Sequence, residues 1–205
     1  MTEEFVKTFV ILLTIIDPIG NLPTYMALTA KYSAKEHKAI AIKTCFTVFF
    51  LLSVSFLVGK YAILFFGIQM SAFKLVGGIF LLYVAFTMIT NSQTSYLFSG
   101  EEIDHKSGIS LMPLTFPLLV GPAAISSVII QSNELTTWSA KVISILEFVV
   151  IGFLIWLTLT LAQKIMTILG KTGINFLTQI MGLLLGSLAI GFIADELKVL
   201  FPGLS

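Results

Sequence analysis

Long apolar stretches separated by short polar punctuation set the pattern of this chain. They cover residues 5–30, 39–58, 68–90, 109–131, 141–162 and 174–194. Each is close to the roughly 20 residues a helix needs to cross a hydrocarbon core of about 30 Å. In lipid a spanning segment must satisfy its own backbone hydrogen bonds, so runs this long and this apolar predict helices. The expectation is an all-α membrane protein with six transmembrane helices. Connections are short except at 91–108, where Asn, Ser, Gln and Gly gather with Glu101, Glu102, Asp104, His105 and Lys106. That polar, cytoplasmic loop separates two sets of three helices within one polytopic membrane domain, residues 1–205.

The two sets fall in step at an offset of 104 residues, which pairs Pro18 with Pro122, Lys60 with Lys164, Gly78 with Gly182 and Ala85 with Ala189. Three is odd, so the second set enters the membrane from the opposite side. Two inverted three-helix repeats follow, about 5–90 and 109–197, an arrangement common in secondary transporters. Lysines set the orientation. Lys31, Lys35, Lys38, Lys43, Lys106, Lys164 and Lys171 flank the loops after helices one, three and five, against Lys7, Lys60, Lys74, Lys141 and Lys198 on the other side. The richer side belongs in the cytoplasm, which leaves both termini outside.

Two of the six runs cannot be plain helices. The first holds Asp17-Pro18-Ile19-Gly20-Asn21-Leu22-Pro23. Pro18 and Pro23 each remove a backbone donor and clash with the preceding turn, and Gly20 adds freedom where a helix former is wanted. Asp followed by Pro reads as an N-cap and a first helical residue, which predicts a stop near Ile16 and a restart at Pro18. The fourth run carries Pro113, Pro117 and Gly121-Pro122, the last aligned with Asp17-Pro18. Broken helices one and four then meet near the midplane, where freed amides and carbonyls can ligate a small polar solute. A half-helix N-terminus suits a carboxylate, and unwound carbonyls suit an ammonium group or a cation.

Asp17 sits near the middle of its span, where an ionised carboxylate costs about 2.5–3.5 kcal/mol on insertion scales. It reads either as a ligand for a substrate amine or a proton carrier, or as the cap that restarts the helix. Asn21 lies one turn on, on the same face. Gly20, Gly121, Thr115 and Ser126 complete the candidate substrate-binding set, although Ser and Thr in membrane helices often bond their own backbone. Gly77, Gly78, Gly182 and Gly186 read as helix-packing positions. Lys43 and Glu147 occupy equivalent places near the starts of helices two and five and are expected to snorkel to the interface. His37 and His105 fall in loops without a ligand set, so no metal is expected.

Composition narrows the function. Hydrophobic residues make up 57% and charged residues 11%, against about 25% charged in soluble domains. A net charge of +1 gives no basic face for nucleic acid. All 12 cationic residues are Lys, which removes the bidentate guanidinium clamp that phosphorylated substrates favour. Cys45 is the only cysteine, excluding internal disulfides and CxxC chemistry. No cleaved signal peptide is expected, because Glu3 and Glu4 replace a basic start and the first run meets Asp17-Pro18 without a small-residue cleavage site. An enzyme is disfavoured: aspartyl proteolysis needs two facing carboxylates, Asp17 is the only acid near a span centre on this reading, and no G-x-S-x-G, HExxH or P-loop pattern occurs.

DPIGNLP in the first run and PLTFPLLVGPAAIS in the fourth, in a three-plus-three chain of this length, resemble the MarC family. The resemblance covers essentially the whole chain. It implies a multi-pass protein of the prokaryotic cytoplasmic membrane, related in fold to LysE-type transporters, and a carrier of small neutral amino acids such as alanine, glycine and serine. If transport is ion-coupled, a proton or a sodium ion is the candidate coupling ion, and no cofactor is expected. The family motifs map onto Asp17, Pro18, Gly20, Asn21 and Pro23, then onto Pro113, Thr115, Pro117, Gly121, Pro122 and Ser126. Ala123 departs from the glycine that many relatives carry after the Gly-Pro pair, which narrows the site or firms the half-helix. The family name also links the chain to antibiotic resistance, so an exporter or channel for other small solutes is the alternative.

Overall fold

The computed structural model describes residues 2–30, 32–90 and 119–201. Among them seven helices follow in order, with no strand: α1 (Thr2–Ile16), α2 (Leu22–Thr29), α3 (Ala34–Phe65), α4 (Met70–Ile89), α5 (Pro122–Glu134), α6 (Trp138–Thr160) and α7 (Ala162–Leu200). The 91–108 loop and the front of the fourth run, with Pro113, Thr115 and Pro117, lie outside the described residues.

Four helices, α3, α4, α6 and α7, are each long and apolar enough to cross a membrane. The 15 residues of α1 and the 8 of α2 rise only about 22 and 12 Å, and they match a core of about 30 Å only end to end. The break in the first run is where the sequence puts it, but the restart is later. Residues 17–21 form a turn, and the helix resumes at Leu22 with Pro23 in its first turn, where a missing N–H is harmless. Asp17 explains the difference. Its φ of 38° is left-handed, whereas an N-cap residue is extended, so Asp17 closes a turn instead of capping a helix. In the fourth run Gly121 is extended and α5 begins at Pro122.

Two other helices outrun their apolar cores. α3 starts before residue 39 because Ser33 and Glu36 form a capping box: Glu36 Oε2 accepts from the Ser33 N–H at 2.7 Å, and Ser33 Oγ accepts from the Glu36 N–H at 3.4 Å. His37 therefore sits in the first turn of α3 and not in a loop, edge-on to Tyr25 with centroids 5.9 Å apart. α7 begins at Ala162, and Gly170 (φ 62°) breaks it into a short and a long part.

Packing follows one rule, visible on α3. Ala41, Thr44, Val48, Leu52, Phe56, Gly59 and Ile63 recur every three or four residues and are buried, while Phe46 (68%), Phe50 (63%) and Phe65 (85%) are exposed on the other side. A helix apolar all round belongs in lipid or a large core. The inner faces meet in one apolar core. α4 and α7 form its most extensive pair, joined through glycines: a Cβ on Gly78 would lie 2.8 Å from Ile193 Cγ1, and one on Gly182 would lie 2.8 Å from Met88 Cβ and 3.0 Å from the Ala85 carbonyl oxygen. The small residues let the helices approach this closely.

Candidate functional site

The turn between α1 and α2 carries the candidate site. Asp17 is 6% exposed, and its Oδ1 accepts the Gly20 N–H at 3.0 Å. Thr178 of α7, also buried, stands within interacting range of the carboxylate. Even so, neither Asp17 Oδ2 nor Thr178 Oγ1 makes a hydrogen bond with good geometry. Gly20 lies between them, and a Cβ there would run into both oxygens. Only glycine lets the carboxylate and the hydroxyl close in over the turn. A carboxylate oxygen beside a hydroxyl, neither with a well-formed hydrogen bond and both enclosed in apolar surroundings, forms an arrangement that a ligand with several N–H donors would complete.

Asn21 faces the backbone. Its Nδ2 donates to the Ile16 carbonyl at 2.9 Å and to the Asp17 carbonyl at 3.0 Å, so it ties off the end of α1. The N-terminus of α2 is left without a side-chain cap, and so is that of α5 behind Gly121. Uncapped first-turn amides suit an anionic group. Ser126 is buried, donates to the Ala123 carbonyl at 3.0 Å and packs against Gly77 of α4. Its hydroxyl serves its own helix. Of the expected set, the structure brings together Asp17, Gly20 and Asn21 in the turn and places Gly121 and Ser126 at the start of α5.

Thr178 is absent from the sequence-derived set, since one Thr in an apolar run is ordinary. A signal did exist: the 104-residue offset pairs Thr178 with Lys74, so each third helix carries a polar residue at one matched position. Lys74 is ion-paired with Glu134 of α5 at 2.7 Å and Glu196 of α7 at 3.5 Å.

Glu147 corrects the sequence reading. It does not snorkel. It is fully buried near the middle of the 23-residue α6, where its Oε2 accepts from Gln131 Nε2 at 3.2 Å. Lys43, its counterpart, is exposed. Asp17 is therefore not the only acid deep in a span, but the two acids have separate hydrogen-bond partners. A surface groove of about 350 Å³ over Gln163, Lys164, Thr167 and Ile168 lies on the short part of α7 and includes none of these residues.

Comparison with known proteins places this architecture. The model for the MarC family of integral membrane proteins matches residues 2–201. A UPF0056 membrane protein of Buchnera aphidicola subsp. Schizaphis graminum is 36% identical over 200 residues, covering 98% of this chain and 94% of its own. UPF0056 membrane protein YvbG of Bacillus subtilis is 33% identical over 213 residues, covering 100% and 99%. UPF0056 membrane protein YhcE of Escherichia coli is 29% identical over 203 residues, covering 98% and 94%. No solved structure matches the chain significantly. With a whole-chain match, four long apolar helices and a lipid-compatible exterior, the chain belongs to the MarC family of multi-pass integral membrane proteins.

Proposed function

We propose that this chain is a secondary transporter of small neutral amino acids of the alanine, glycine and serine type, working by alternating access across the prokaryotic cytoplasmic membrane. The observation that carries the reading is the buried pair of Asp17 Oδ2 and Thr178 Oγ1, side by side and without well-formed hydrogen bonds, at the break between α1 and α2. An α-ammonium group offers three donors and no acceptor, which answers that pair. The α-carboxylate is answered by uncapped amides at the start of α2 or α5. Asp17 and Thr178 are both buried, so a solute reaches them only when helices part, as alternating access requires.

In this reading α1 with α2 and the run ending in α5 complete six spans, arranged as inverted repeats with both termini outside. Three features support it. α3 and α6 begin at Ala34 and Trp138, 104 residues apart. Lys74, Glu134 and Glu196 stand at ends of α4, α5 and α7 that such a topology puts on one side. Second packs on second and third on third in the pairs α3 with α6 and α4 with α7. The test is uptake of radiolabelled alanine, glycine and serine into proteoliposomes under imposed proton and sodium gradients. Concentrative, gradient-dependent uptake is expected. Purely downhill flux would make the protein a channel, and no flux of any amino acid would overturn the assignment.

A further inference from the structure

Away from the Asp17 turn, α5 and α6 enclose a second polar cluster. Glu147 is fully buried, and Gln131 and Ser144 are nearly so. Gln131 Nε2 donates to Glu147 Oε2 and to Ser144 Oγ, each at 3.2 Å. Ser144 Oγ donates to the Ala140 carbonyl at 3.2 Å. Two buried acceptors are left without partners, Glu147 Oε1 and Gln131 Oε1. Acid, amide and hydroxyl are thus one proton short of using their acceptors.

Among the described residues, no cation balances the acid. On α3, Cys45 faces Gly152, Lys43 and Tyr61 are exposed, and Lys60 is half-buried. Glu134 on α5 and Glu196 on α7 are held by Lys74. Lys141 on α6 lies over the Trp138 ring, and Asp17 at the end of α1 bonds Gly20. None of these makes a hydrogen bond or ion pair with Glu147. A carboxylic acid differs from its anion by one donor, and Gln131 can answer either form. Its NH₂ faces the anion, and rotation of the amide presents its carbonyl to the O–H.

We propose that Glu147, read by Gln131, is the proton-binding site that couples a proton gradient to transport, separate from the substrate site at Asp17. Proton binding adds H⁺ to a Glu147 carboxylate oxygen with no other bond changed, and its release restores the anion. Intramembrane acids in transporters commonly serve such relays. The proposal rests on the transport reading for its role, but not for its chemistry.

Two measurements decide it. The first treats the parent protein in detergent with dicyclohexylcarbodiimide, which modifies protonated carboxyls in apolar surroundings, and maps the products by mass spectrometry between pH 5 and 8. Glu147 should be labelled, with a yield that falls as pH rises. Absence of label there at every pH, or a yield indifferent to pH, overturns the proposal. The second compares proton-driven accumulation of alanine with alanine exchange in proteoliposomes for the parent, Glu147→Gln and Gln131→Met. The ratio should fall at least tenfold in Glu147→Gln. In Gln131→Met the pH of half-maximal accumulation should move, which a purely structural role would not cause. An unchanged ratio, or accumulation driven by sodium alone, overturns proton binding at Glu147. A parent that exchanges no amino acid sinks the transport reading instead, and the labelling result still decides whether Glu147 takes up a proton.

Discussion

Asp17→Asn and Asp17→Ala separate a charged ligand from a turn-former, because the structure assigns the two oxygens different tasks. Oδ1 accepts the Gly20 N–H, a task an amide oxygen performs equally well. Oδ2 has no hydrogen-bond partner and has Thr178 beside it. In the Asn variant that position becomes an NH₂ able to donate to Thr178 Oγ1, adding a hydrogen bond of about 0.5–1.5 kcal/mol, and Asn tolerates left-handed backbone well. Asp17→Asn should therefore be as stable as the parent or more so. In Asp17→Ala the Gly20 N–H loses its acceptor, at about 1–3 kcal/mol, and a φ of 38° costs a residue with a plain Cβ about 1 kcal/mol more. The expected loss is about 2–4 kcal/mol.

Function should rank the variants differently. A hydrogen bond to a charged group is worth about 1.5–3 kcal/mol. At about 1.4 kcal/mol per factor of ten, removing it weakens half-saturation for alanine by about 10- to 150-fold in the stable Asn variant. Uptake in proteoliposomes, read beside thermal unfolding in detergent, measures both quantities on one preparation. Parent-like uptake by Asp17→Asn would refute the ligand role, and parent-like stability of Asp17→Ala would refute the account of the turn.

Thr178→Val keeps the shape and deletes an unpartnered buried hydroxyl, so stability should hold or rise slightly while alanine uptake falls severalfold; unchanged uptake would remove Thr178 from the site. Gly182→Leu must displace Met88 or the Ala85 backbone, an overpacking cost of about 1–3 kcal/mol visible as a lower unfolding temperature. A Cβ on Gly186 would lie 3.4 Å from Ala85 Cβ, near disulfide geometry; Ala85→Cys with Gly186→Cys, in a Cys45→Ser background, should crosslink and still transport. Single cysteines introduced at Phe66 and Ser139 should react with an impermeant thiol reagent from outside, and one at Ser33 from inside; the reverse pattern would invert the topology.

The breaks were legible in the sequence because proline and glycine act through local sterics, which any neighbourhood inherits. The restart was not, since Pro18 and Pro23 both fit a first turn and only the left-handed Asp17 chooses between them. The early start of α3 was written in Ser33 and Glu36 and is overlooked if apolar runs alone define helices. Depth counted from residue 141 misplaces Glu147, because α6 starts at Trp138 and sets the acid almost one turn deeper. A glutamate has no long stem with which to climb back out. Beyond its match with Lys74 at the 104-residue offset, Thr178 emerges only on folding, since nothing local says that α7 lies against the break.

The glycine seam between α4 and α7 divides the molecule mechanically. Interlocked at backbone distance, these two helices cannot slide or tilt separately without collision, so in the proposed transport cycle they behave as one stationary beam. Thr178 is fixed to that beam, one turn from Gly182. Asp17 belongs instead to a short turn between two half-helices, whose shape is held from within by the Asn21 amide and by backbone bonds across the turn. One wall of the site is therefore anchored to the beam, and the other is a self-contained hinge. In the proposed transport cycle, the half-helices swing against the beam while the bonds internal to the turn keep Asp17 in place on its own segment.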